Sequence, residues 1–183
     1  MKNQLNLRNR QAFRAWLSEH GRAETECWLQ LKRGRPTAED VFYYLDAVEE
    51  ALCFGWIDST QKKVDGQTWQ RFSPRRPKSN WTALNKARVK RLEKLGLMTD
   101  QGRAVLPDLT VDLDQDLVAI LKAEGVWETF SSFPRLYQEV RLSNLVFQRK
   151  NQAQNYDKSL ARLLTQTRQG NLYGEWDDYG RLS

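Results

Sequence analysis

The dipeptide Asp65-Gly66 constrains this chain more than any other feature of its sequence. Both residues tolerate positive φ, as a two-residue hairpin turn requires. Strand-like runs flank them, Trp56 to Val64 before and Gln67 to Ser73 after. A further strand is expected over Glu26 to Lys32, where Cys27, Leu29 and Leu31 fall on one side, and Gly34-Arg35-Pro36 breaks it. Helical spacing surrounds these strands. Phe13, Trp16 and Leu17 share one face of Asn9 to His20, with Gly21 as the stop. Val41, Tyr44, Leu45, Val48 and Leu52 share another, on a helix that Thr37 would cap, with Asp40 in the manner of a capping box, and that runs to Gly55.

Beyond the hairpin, Pro74 and Pro77 bracket an irregular loop. Ser79 or Asn80 is expected to cap a helix carrying Trp81, Leu84, Leu92 and Leu95 up to Gly96. After Met98 the character changes. Pro107 to Asp112 reads as a connector, and helical periodicity returns over Leu113 to Lys122, Pro134 to Arg149 and Tyr156 to Thr167. Asn171 to Ser183 sets Tyr173, Trp176 and Tyr179 among Glu175, Asp177 and Asp178, which suits a tail that docks through its rings. The fold class expected is α+β. Residues 1–106 form a module with a small antiparallel sheet packed by helices, 107–170 a mostly helical region, and 171–183 an acidic aromatic tail.

With 183 residues, this is one domain or one domain with an appendage. Seven Trp, seven Phe and six Tyr are too many large apolar groups to leave in water, so intrinsic disorder is excluded. No stretch approaches the ~20 apolar residues of a membrane helix, so no membrane span is expected. The N-terminal residues do not read as a secretory signal, which points to the cytoplasm. There Cys27 and Cys53 would stay reduced. A single histidine, His20, and the lack of a Cys-x-x-Cys leave too few ligands for a zinc site, and no cofactor is implied. His20 itself suits a helix end as a C-terminal cation.

The charge is localised. Between Lys62 and Arg91 lie ten cations and one acid, Asp65, so that segment carries +9 in a chain whose net charge is +6. Its densest part, Arg75-Arg76-Pro77-Lys78-Ser79, would deliver three cations to the expected N-terminus of a helix, where free amides and the dipole favour an anion. Arginine adds a planar fork for phosphate or carboxylate, and two prolines stiffen the loop. The structural alternative is that these arginines pair with Glu49, Glu50 or Asp58 and fasten the loop.

Several stretches together resemble the YdeI/OmpD-associated (OmdA, bacteriocin-protection) family: Ala51-Leu52-Cys53-Phe54-Gly55-Trp56-Ile57-Asp58-Ser59, then Arg71-Phe72-Ser73-Pro74-Arg75-Arg76-Pro77-Lys78-Ser79-Asn80-Trp81, Asn85-Lys86 and Gly96-Leu97-Met98-Thr99. The resemblance spans about Phe13 to Gly102. It implies an α+β N-terminal module and an association with stress resistance, but no agreed reaction. Members typically carry a second, C-terminal Ala-Lys-Arg-Pro-Glu-Thr-Arg-like motif; here that place reads Phe147-Gln148-Arg149-Lys150-Asn151-Gln152-Ala153, a clear departure.

The candidate ligand-binding residues are Asp58, Lys63, Arg75, Arg76, Lys78, Ser79, Trp81 and Asn85, with no catalytic residue assigned. Cys53 ends a helix, where the dipole disfavours a thiolate, so it reads as a packing residue. Asp58 follows an apolar Trp56-Ile57 pair and needs a partner, for which Lys63, Arg75 and Arg76 are available. Trp69 and Phe72 lie an odd number of positions apart and should face opposite sides of a strand. Three functions fit: binding of a small phosphate- or carboxylate-bearing ligand, single-stranded nucleic-acid binding along the 62–91 segment, or a protein-interaction module. A ligand pocket would converge three or four cations, whereas a backbone track would string out six or more.

Overall fold

In a computed structural model that describes residues 1–183, a four-stranded sheet organises the first part of the chain. Its strands are β1 (Gln4–Leu5), β2 (Cys27–Leu29), β3 (Trp56–Val64) and β4 (Gln67–Pro74), in the order β1-β2-β4-β3. The hairpin pairs Val64 with Gln67, and Asp65 and Gly66 take φ of 50° and 78°, the left-handed values their side chains allow. β2 joins β4 antiparallel, Cys27 opposite Phe72, and β1 adds a parallel edge. The chain is therefore α+β, with one parallel strand that the sequence did not disclose.

Glu26 clasps that edge. Its Oε1 accepts from the Lys2 amide and the Trp28 indole, each at 3.0 Å, and its Oε2 accepts from Arg71 Nε at 2.7 Å. The bonds from Trp28, Lys2 and Arg71 hold the carboxyl at about 2, well below the usual carboxylate range. A folded-state value below the unfolded one means stability that is present above about pH 4.5 and lost as pH falls toward 2. The stability gap between wild type and Glu26→Gln should therefore narrow across that window in acid denaturation. A gap that stays constant from pH 6 to pH 2 would refute the clasp.

Two helices pack on the sheet. α1 (Arg10–His20) starts where Asn9 accepts from the Ala12 amide, and it buries Phe13 and Leu17. The Phe13 ring lies 5.9 Å from Phe42 and 5.5 Å from Phe72, at the centre of this core. α2 (Tyr44–Cys53) begins later than the Thr37 cap implied. The cause is non-local. Lys32 pairs with Tyr43, its amide donating to Phe42 O and its carbonyl accepting from the Tyr44 amide, so residues 42–44 are held extended. Thr37 instead hydrogen-bonds the Tyr43 hydroxyl at 3.0 Å. The same pairing leaves β2 at three residues, shorter than the strand expected to reach Lys32.

α3 (Ala83–Lys94) is capped by Thr82, whose Oγ1 accepts from the Asn85 amide at 3.1 Å, rather than by Ser79 or Asn80. α4 (Asp100–Arg103) is a single turn set against the end of α2: Thr99 donates its hydroxyl to Cys53 O at 2.6 Å and accepts from the Gly102 amide at 3.2 Å.

The chain divides into two units, Met1–Asn80 with Arg88–Asp108, and Trp81–Ala87 with Leu109–Ser183. Besides the first turn of α3, the second unit is helical: α5 (Gln115–Ala123), capped by Asp114, α6 (Trp127–Ser132), α7 (Arg135–Asn151) and α8 (Ala153–Arg168). Leu117, Leu121, Phe130, Tyr137, Leu145 and Leu163 form its core. The tail docks as its aromatics suggest, with Tyr173 and Trp176 packing edge-on against Tyr137 at 6.2 and 5.8 Å. No helix is long and apolar enough to cross a membrane.

Candidate functional site

The basic loop is a turn built to a recognisable pattern. The Ser79 amide donates to Arg76 O at 3.1 Å, Pro77 sets the second position, and Lys78 takes φ of 60° at the third. This is the arrangement of a type II turn, whose third position favours glycine or asparagine. Lysine there adopts a left-handed backbone that costs a non-glycine residue roughly 1–2 kcal/mol. Beneath the turn, Arg75 is 6% exposed, and its Nη1 donates to Ser79 Oγ at 3.4 Å and to Asn80 O at 3.2 Å. Its backbone amide is fixed to Gly55 O at 2.9 Å. Burial pulls the Arg75 guanidinium down to about 10, and the Asp58 carboxylate partly offsets this. Arg75 thus fastens the turn, while Arg76 and Lys78 stand exposed on it with no ion pair.

Asp58 belongs to the same neighbourhood and has a partner that sequence reasoning missed. The Tyr44 hydroxyl donates to Asp58 Oδ2 at 2.5 Å, and the Arg33 guanidinium stacks on the Tyr44 ring at 3.6 Å. Burial, followed by the negative charge of Asp58, pushes the Tyr44 phenol up to about 12. Arg33 also donates to Gln70 Oε1 at 2.7 Å. Tyr44 looked like a core residue because it shares the apolar face of α2. Its polar end becomes informative only when β3 brings Asp58 to it.

Lys63 is exposed on β3 opposite Thr68, toward the hairpin turn. Trp81 and Asn85 belong to the second unit. The helix start once expected at Ser79 or Asn80 lies at Ala83, so no first-turn amides fall within the basic loop. Among the segment's other cations, Arg71 pairs with Glu26, Arg91 with Glu49 at 2.9 Å, Lys62 lies over the Trp28 ring, and Lys86 donates to Thr110 O.

Glu49 and Glu50, suggested as partners for Arg75 and Arg76, are instead held by Arg10, Arg14 and Arg91. Arg10 reaches Asp46, Glu49 and Glu50 at 3.3, 3.2 and 2.6 Å, and Arg14 meets Glu50 at 2.8 Å. Cys53 and Cys27 are free and buried. Burial and then the Glu50 charge push the Cys53 thiol up to about 11, and burial also raises Cys27. Both are therefore packing residues and poor nucleophiles. Phe72 is buried and Trp69 half-buried, as their odd spacing on β4 requires.

A family model described as "Domain of unknown function (DUF8412)" matches residues 5–105. No curated protein and no solved structure matches the chain.

Proposed function

The chain belongs to the DUF8412 family, a domain of unknown function, and we propose that its first unit binds a small phosphate- or carboxylate-bearing ligand at the turn Arg76–Ser79. The observation that carries this reading is Lys78, an exposed, unpaired cation held in a left-handed conformation that glycine would adopt at lower cost. Arg76 and Lys78 meet the anion. Arg75, Asp58 and Ser79 are positioning residues that set the turn from beneath. A pre-formed turn loses little entropy on binding, which suits a compact ligand.

The resemblance to the YdeI/OmpD-associated family is carried forward within the proposal on the sequence stretches alone, several of which build the elements that hold this turn. A cytoplasmic site of action is part of the same proposal. The nucleic-acid reading is the weaker one, because several of the ten cations of the 62–91 segment already have internal partners.

Lys78→Gly separates binding from folding. The variant should hold or raise the melting temperature, since it relieves the backbone cost, yet weaken binding in a panel of phosphorylated metabolites, nucleotides and dicarboxylates. In wild type, a ligand at about 100 times its Kd adds roughly 2.7 kcal/mol, or about 5–11 °C. A ligand that stabilises wild type and Lys78→Gly equally would refute the assignment. Tight binding of oligonucleotides alone, steeply weakened by salt, would replace it with the nucleic-acid reading.

A further inference from the structure

The second unit holds a cavity of about 170 Å³ lined by Arg141, Asn144 and Gln148 from α7, Ser159 and Arg162 from α8, and Tyr173 from the tail, with Leu145 at its floor. Their spacing explains the convergence. Residues 141, 144 and 148 follow one another along one face of α7, as 159 and 162 do on α8. Two guanidiniums approach the Tyr173 ring, with Arg141 and Arg162 each 4.6 Å from its centroid. Arg141 also lies 5.3 Å from the Tyr137 ring and donates from Nη2 to Glu175 O at 3.2 Å. Gly174, at φ 65°, leaves room for that approach, since a Cβ there would stand 3.0 Å from Arg141 Nη2.

The chemistry of this lining is one-sided. It contains two cations, two carboxamides and two hydroxyls, and no carboxylate. Neither arginine has an ion pair, and two like charges share one aromatic ring. Two buried atoms are left unsatisfied: Arg141 Nε, a donor, and Gln148 Oε1, an acceptor. Buried polar groups of this kind cost stability until something bonds to them. The volume lies below the roughly 300–1,000 Å³ of pockets that take larger organic ligands, so the occupant is small.

We propose that this cavity binds a tetrahedral oxyanion that also carries an O–H, hydrogen phosphate being the simplest. Its oxygens accept from Arg141 Nε and from the Arg162 guanidinium, and its single hydroxyl donates to Gln148 Oε1. Asn144 and Ser159 complete the shell. The site is separate from the Arg76–Ser79 turn and does not depend on it.

The test uses the full-length chain carrying Arg76→Ala and Lys78→Gly, so that the turn no longer contributes. The ¹⁵N-labelled protein is titrated with sodium phosphate at constant ionic strength while the arginine Nε–Hε resonances are followed. The Arg141 resonance should move saturably. Arg162→Gln should weaken the titration about tenfold or more, as loss of a charge-assisted bond does. Asn144→Asp, at an exposed position on the cavity rim, should abolish it by repulsion without touching the core. Sulfate, which has no proton to give Gln148, should bind about tenfold more weakly. Non-saturating shifts, an unchanged curve in both variants, or sulfate equal to phosphate would each overturn the proposal.

Discussion

Arg10→Met should cost the first unit about 3–5 kcal/mol, the usual penalty for leaving buried charges without their counter-ion. Arg10 is the shared cation of three α2 carboxylates, and Asp46, Glu49 and Glu50 are only 8%, 1% and 3% exposed. Arg14 and Arg91 remain for Glu50 and Glu49, whereas the 3.3 Å contact with Asp46 is lost with Arg10. Methionine keeps much of the arginine stem's packing, so the loss reports charge rather than a void. For a chain of this length the melting temperature should fall by about 6–20 °C. Arg103→Met is the control: its partners are Glu93, one-third exposed, and Asp100, 99% exposed, and it should cost at most about 1 kcal/mol. Adding Glu49→Gln to Arg10→Met should recover part of the loss, because it lowers the negative charge crowded on α2 once Arg10 is gone. Equal effects from Arg10→Met and Arg103→Met would mean that the α2 carboxylates are solvated and the network is not a source of stability.

Gly102→Ala should cost about 3 kcal/mol, near the upper end for overpacking. A Cβ at this position would sit 2.2 Å from Cys53 O and 3.0 Å from Leu52 O, both backbone atoms that cannot rotate away. The prediction runs against helix propensity, since alanine within a helix is worth about 1 kcal/mol over glycine. Its sign therefore decides which influence governs the α2–α4 junction. Gly96→Ala is the comparison. That glycine has φ of 67° with nothing within 4 Å of a new Cβ, so only the backbone cost of about 1–2 kcal/mol applies. Chemical denaturation of the two variants should rank Gly102→Ala as the more damaging. The reverse order would show that α4 can slide off the end of α2.

What could be read from the sequence was local. Asp65-Gly66 fixed the hairpin because two residues contain the whole turn, and the spacing of Phe13, Trp16 and Leu17 with Gly21 as the stop marked α1. What failed depended on distant partners. Thr37 followed a good capping pattern, but Lys32 had already engaged residues 42–44. β1 is two residues long, too short to leave any periodicity. Glu49 and Glu50 were expected as possible partners for the basic loop, and it is α1 and α3 that bring Arg10, Arg14 and Arg91 to them. The site shows the same limit. The cations of Arg75 to Lys78 were conspicuous as a run, but which of them turns inward was settled by packing. Tyr44 and Arg33 gave no signal at all. Nor did Arg141 and Arg162, two unexceptional residues on separate helices that converge only after the tail folds back.

The division of the chain carries a consequence for its synthesis. The first unit's residues end at Asp108, yet Trp81–Ala87 belong with residues 109–183. During translation at roughly 5–20 residues per second, the first unit can form while that stretch waits about 4–15 s for its fellows to emerge. For those seconds Trp81 and the opening turn of α3 are an unfinished apolar segment inside an otherwise complete body. A released chain that ends at Asp108 should therefore bind a chaperone more than the 183-residue chain does, because its Trp81–Ala87 segment lacks the residues it packs with.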